Sequence, residues 1–117
     1  MPESTLPVRI VLTTTSTPEE AEHLGRILVE EQLAACATMI PAVQSIYRWQ
    51  GQVETATETM VFLKTGLAQL PALEARLREL HTYETPEFLV LPVESGSSTY
   101  LAWLHASLGV PIEAGDS

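Results

Sequence analysis

The sequence contains a single cysteine, Cys36. One thiol excludes an internal disulfide, so the fold is predicted to rest on packing and to suit a reducing compartment, the cytoplasm. Basic residues are also scarce. Lys64 is the sole lysine, and Arg9, Arg26, Arg48, Arg76 and Arg78 form no block. Six basic residues against 15 acidic ones leave a net charge of −9. A nucleic-acid partner is excluded on that balance, because phosphate binding needs clustered Lys and Arg, and an anionic membrane surface is excluded with it. Long apolar runs are missing. The longest are Leu33–Ala37, Met60–Leu63 and Phe88–Val93, far short of the ~20 residues that cross a bilayer. Met1–Thr5 lacks the basic region and apolar core of a signal peptide. Asparagine is absent and arginine outnumbers lysine; heat adaptation and biased base composition explain that equally well. There is no CxxC, HExxH, Gly-rich phosphate loop or nucleophile–base–acid arrangement. No enzyme is predicted.

What remains is a chain that is 45% hydrophobic and only 18% charged. That is the composition of a packed core and not of an acidic disordered tail. Its 117 residues suit one domain, residues 1–117, with an ordered core from about 8 to 108. Residues 1–7 are polar, with two prolines, and read as a loose lead-in. Val8–Thr15 alternates as a strand. Thr17-Pro18-Glu19-Glu20 is a helix start: Thr17 caps, Pro18 takes the first helical position, and Glu20 closes a capping box. Ala21, Leu24, Ile27, Leu28 and Glu31 follow at helical spacing, and the helix is expected to reach Gln32. Cys36–Ile40 and Val43–Gln50 are extended segments separated by Pro41, which marks a bulge or an edge because it cannot donate to a ladder. Trp49-Gln50-Gly51-Gln52-Val53 is a tight hairpin with a positive φ at Gly51. The return strand Val53–Thr65 is long for a small domain, so the hairpin tip is expected to project.

A second helix is expected over Leu67–Leu80, with Leu67, Leu70, Leu73, Leu77 and Leu80 on one side and Pro71 in its first turn. Thr85-Pro86 is a loop and Phe88–Val93 a strand. One of Ser95, Ser97 and Ser98 caps a third helix, Ser98–Leu108, which Gly109 ends. The tail beyond Gly109 is expected to be mobile. The resulting order is strand, helix, strand, strand, helix, strand, with an added C-terminal helix. That is an α+β, ferredoxin-like βαββαβ plan with an antiparallel sheet and a long central hairpin. Its helices cover one sheet face, so the other should be polar. Here Phe88, Val90 and Pro92 lie opposite Leu89, Leu91 and Val93, and Met60 and Phe62 lie opposite Val61 and Leu63. Either the last helix or the hairpin folds back over the second face, or another copy covers it; the pattern favours another copy.

Leu33-Ala34-Ala35-Cys36-Ala37-Thr38, Ile40-Pro41 and Ser45-Ile46-Tyr47-Arg48-Trp49-Gln50-Gly51 together resemble the signature of the CutA family. Glu58, Leu63-Lys64-Thr65, His81, Tyr83-Glu84-Thr85-Pro86-Glu87, Leu91-Pro92-Val93, Tyr100-Leu101-Ala102-Trp103-Leu104 and Ser107 continue the match in one register over about residues 8–108. The resemblance implies a ferredoxin-like subunit in a homotrimer, linked to tolerance of divalent cations with copper the usual metal. It also implies a likeness to nitrogen-signalling trimers that bind small effectors between subunits. Two positions depart from some bacterial members. Thr13 stands where they carry a cysteine, and Leu80-His81-Thr82-Tyr83 holds one histidine where they carry two. Of the copper donors in such members only His81 has a counterpart, and copper wants several nitrogen or sulfur donors.

The candidate site residues follow. Cys36 and His81 are the metal candidates, for Cu²⁺ or another divalent ion. Cys36 sits among small apolar residues and suits packing as well; His81 suits capping of a helix C-terminus. Lys64 and Glu58 share a strand face, and a sole lysine on an apolar strand needs a partner, from Glu58 or Glu87 across a subunit boundary. Lys64, Glu58, Trp49, Tyr83 and Glu87 are the candidate lining of an anionic-ligand cleft between subunits. Tyr47 and Trp49 suit interface anchors, and His23 and His105 are read as surface residues. Three functions follow: a metal-response trimer with weak metal binding, a signalling trimer that binds a small anion, and a scaffold that presents another protein.

Overall fold

The computed structural model describes residues 6–110. The predicted lead-in and tail therefore lie largely outside the described residues. Four strands and three helices follow in the expected order. They are β1 (Val8–Thr15), α1 (Pro18–Glu30), β2 (Cys36–Trp49), β3 (Gln52–Gly66), α2 (Leu70–Leu80), β4 (Leu89–Pro92) and α3 (Ser98–Ser107). The strands form one sheet of order β2-β3-β1-β4 with every neighbour antiparallel. This is the ferredoxin-like arrangement.

Strand alternation decides what each face carries. Val11 and Thr13 on β1, with Val61 and Leu63 on β3, point to the side covered by α1 and α2. There Val11, Val61 and Leu63 pack with Ala21, Leu24 and Leu28 of α1 and Leu73 and Leu77 of α2. Fully burying each of these larger side chains stabilises the fold by about 1.5–3 kcal/mol. Ile10, Leu12, Met60, Phe62 and Lys64 point the other way, and the pairing of Leu12 with Leu89 and Ile10 with Leu91 puts both β4 leucines on that second face. Helix α3 lies over one end of it, where Leu104 and Leu108 bury Val8 and Ala35. The last helix thus covers part of the second face, but Leu89 stays 55% exposed and Leu91 45%.

Local chemistry sets the boundaries. The Thr17 hydroxyl accepts from the Glu20 amide at 3.1 Å. The Glu20 carboxylate does not close the expected box onto Thr17. It reaches one residue further back and accepts from the amide and hydroxyl of Ser16. Helix α1 ends at Glu30, short of the predicted Gln32, because Gln32 adopts a φ of 61°. Leu33 N then donates to Leu28 O and Gln32 N to Val29 O, at 2.9 and 3.0 Å. That is a Schellman cap built without glycine. Gly109, at φ 81°, closes α3 by the same bonding, with Val110 N donating to His105 O and Gly109 N to Ala106 O. Ser97 is the serine that caps α3. The second helix is preceded by a single 3-10 turn, Leu67–Gln69, that leaves Leu67 exposed. Strand β4 is shorter than Phe88–Val93 because Phe88 turns into the core. His105, read as a surface residue, is buried, with Nε2 3.3 Å from Leu6 O.

The hairpin forms as expected, with positive φ at Gln50 as well as Gly51 and Trp49 paired to Gln52. Two positive φ values in a two-residue loop match the right-handed twist of the strands. Pro41 marks both a bulge and an edge. Ile40 pairs with Met60 but Val43 with Glu58, so β2 holds one extra residue, and Ala42 carries a φ of 62°. The insertion switches the alternation. Thr38 and Ile40 before it, and Val43, Tyr47 and Trp49 after it, therefore share the second face. The hairpin runs on past the helices and gives the molecule its 56 × 25 × 23 Å shape.

Two packing details are testable. A Cβ on Gly25 would lie 2.8 Å from the Ala37 Cβ. The overpacking cost of about 1–3 kcal/mol outweighs the ~1 kcal/mol helix-propensity gain, so Gly25→Ala should lower the urea midpoint; a higher midpoint would refute the close contact. The Thr13 hydroxyl is buried with no hydrogen-bond partner among the described residues. Thr13→Val should stabilise by about 1 kcal/mol in the same assay, and a loss of stability would mean that the hydroxyl has found a partner.

Candidate functional site

The candidate residues fall into separate groups. Lys64 and Glu58 share the second face of β3 but stand six residues apart, about 20 Å at ~3.4 Å per residue. Trp49 pairs with Gln52 at the hairpin tip, as far again beyond Glu58. Glu87 is half-buried in the segment leading into β4. Within one copy, then, the five proposed cleft residues do not line a single pocket.

The first group gathers where the α2–β4 loop crosses the sheet. Tyr83 Oη donates to Glu58 Oε2 at 2.7 Å. His81, at the C-cap of α2, holds Nε2 2.7 Å from the carbonyl of Thr14, and its Nδ1 lies 3.0 Å from the Tyr83 amide. The imidazole and phenol rings pack with centroids 4.7 Å apart. Burial and the Glu58 carboxylate together push the Tyr83 phenol well above its ordinary value of 10.0. The Ser16 hydroxyl, with Thr82, holds the Glu20 carboxyl below the usual carboxylate range. An anchored carboxylate–phenol pair results, tied to β1, α1 and α2.

The second group lies under α3. Lys64 Nζ sits 3.3 Å from Tyr100 Oη and 5.6 Å from the centre of its ring. Tyr100 stacks on Trp103 at 5.3 Å. In one copy the lysine thus meets a phenol and an aromatic face, and none of the ion pairs among the described residues includes it. Cys36 faces Lys64 across the β2–β3 ladder. Its Sγ is 3.5 Å from Thr38 Oγ1, and it lines an open groove of about 360 Å³ between α1 and the outer edge of β2, with Val29, Met39 and Trp103. Cys36 and His81 do not meet. Cys36 is level with Ile10 of β1, and His81 bonds Thr14, four residues further along, a separation of about 14 Å along the strand. Among the described residues no three His, Cys, Asp or Glu side chains gather as a cation site.

Sequence reasoning gave Glu20 a role only in the helix cap and Tyr100 only a place in the family match, and it gave Thr14 none. Tyr100 enters through the placement of α3, and Thr14 through a carbonyl that carries no side-chain signal. Arg76 was read only as one of the scattered arginines; it joins α2 to Glu31 after α1 through two hydrogen bonds of 2.9 and 3.0 Å.

The Tyr83–Glu58 bond yields a pH prediction. The shift is upward, so the folded state disfavours the phenolate. Its stabilisation is whole below pH 10.0 and is lost as the pH rises past that value. Tyr83→Phe should cost about 1 kcal/mol at neutral pH and flatten the alkaline fall in stability; an unaltered alkaline limb would contradict the assignment.

Comparison with known proteins agrees with this architecture. Residues 9–107 match the model of the CutA1 divalent ion tolerance protein family. The divalent-cation tolerance protein CutA of Pectobacterium atrosepticum is 41% identical over 99 residues, which cover 85% of this chain and 90% of that one. That of Escherichia coli strain K12 is 44% identical over 99 residues, 85% of this chain and 88% of that one. The structure of CutA from Synechococcus elongatus PCC7942 superposes with a TM-score of 0.86 at 43% identity, covering 92% of this chain and 94% of that one. CutA1 from Oryza sativa gives 0.86 at 35% identity, covering 88% and 94%. With the order of elements, the sheet topology and the family model in agreement over nearly the whole described length, the chain belongs to the CutA1 divalent ion tolerance family.

Proposed function

We propose that the chain works as a cytoplasmic homotrimer in the cell's tolerance of divalent metal ions such as copper. The relatives' name supplies the role, and the apolar second face of the sheet carries the assembly. Leu89, Leu91 and Ile40 (47% exposed) lie on that face outside the cover of α3, with Tyr47 and Trp49 further along the hairpin. Each such side chain is about half exposed, so completing its burial would recover roughly half of the ~1.5–3 kcal/mol that full burial gives. Among the described residues the outer edges of β2 and β4 are also unpaired, an open invitation to a neighbouring copy. A cation site on this reading takes donors from more than one copy.

A second reading draws on Lys64. Among the described residues its ammonium meets the Tyr100 hydroxyl and joins no ion pair, which suits a small anionic ligand held at an intersubunit cleft.

The test joins assembly to function. Light scattering of the purified protein should give three times the chain mass. Expression in a bacterium stripped of its own CutA should restore growth under Cu²⁺ stress, and Leu89→Glu with Leu91→Glu should abolish both. A monomer, or a trimer that leaves growth at the level of the empty vector, contradicts the proposal.

A further inference from the structure

His81 is one of the two metal candidates among the residues of this chain, and its surroundings decide what it can do. The Tyr83 amide is a donor and nothing else, so the Nδ1 it faces at 3.0 Å must offer its lone pair. The Thr14 carbonyl is an acceptor and nothing else, so the Nε2 it faces at 2.7 Å must carry the proton. Only the neutral Nε2–H tautomer satisfies both. A metal needs an imidazole lone pair, and the ring has a single one in that tautomer, already used by a backbone amide. Binding through Nδ1 would take the acceptor away from Tyr83 N. Binding through Nε2 would first remove the proton held by Thr14. Cys36, the other donor type, is level with Ile10, four residues along β1 from the Thr14 that His81 bonds, about 14 Å away along the strand.

We propose that His81 is not a metal ligand in this protein but a neutral clasp. It fastens the end of β1 to the α2–β4 loop and thereby positions Tyr83 against Glu58. The residues present do not fit a divalent ion at this place, and any response to such ions runs elsewhere. The inference goes beyond the trimer reading and does not rest on it, because every contact used lies within one copy.

The test exploits two amides that imitate one ring nitrogen each. Glutamine places a donor near the position of Nε2, and asparagine an acceptor near that of Nδ1. His81→Gln and His81→Asn should each retain part of the thermal stability that His81→Ala loses. Titration with ZnCl2 and CuCl2 in a non-chelating buffer should give the same isotherm for wild type and all three variants, whether that isotherm shows binding or none. Nitrogen-15 NMR of the wild-type ring should report the Nε2–H tautomer and stay unmoved on adding Zn²⁺. A tenfold or greater loss of affinity common to all three variants, displacement of the ring signals by Zn²⁺, or an Nδ1–H tautomer would overturn the clasp. None of these results depends on oligomeric state, so failure here is distinct from failure of the trimer.

Discussion

A four-stranded sheet has two faces, and this chain supplies two core helices for only one of them. Most of the architecture follows from that imbalance. Val11, Val61 and Leu63 are sealed by α1 and α2, while Ile10, Leu12, Phe62, Leu89 and Leu91 point away from that layer. Helix α3 covers one end of the second face through Leu104 and Leu108. Its remainder is apolar surface on a sheet whose two outer strands, among the described residues, also have open edges, the kind of surface on which a partner gains most by burial.

The long hairpin extends the same constraint. One inserted residue at Pro41–Ala42 switches the alternation of β2, so that Tyr47 and Trp49 join Ile40 on the apolar face. Without the insertion these aromatics would point to the helix side. The bulge thus holds an unfavourable backbone angle at Ala42 and puts Ile40, Val43, Tyr47 and Trp49 on one face of β2.

Much of this was legible in the residues. The alternation of Val8–Thr15, the Thr17-Pro18 start, Pro41, Gly51 and Gly109 each carry a stereochemical reason, and the fold follows from their order. The misses share a cause. Gln32 ends α1 in a conformation usually left to glycine, so no glycine marked the place. Phe88–Val93 is apolar at every position, and a strand without alternation does not show where it stops. Parity put Lys64 and Glu58 on one face, yet a shared face is not a shared site: strand rise keeps them about 20 Å apart. The partners that define the two groups, Tyr100 for Lys64 and the Thr14 carbonyl for His81, come from 36 and 67 residues away in sequence. No local pattern encodes pairs at that separation, and a backbone carbonyl leaves no trace in residue type.

The central claim is that the exposed apolar face is covered by other copies of the same chain. Amide exchange measured at rising protein concentration tests it at the level of the strand. The account predicts that the amides of Leu89–Leu91 and of the β2 edge exchange slowly in concentrated solution and speed up together on dilution below the dissociation constant, while the core amides of Val61 and Leu63 stay protected. Rapid exchange at β4 that is indifferent to concentration would contradict it.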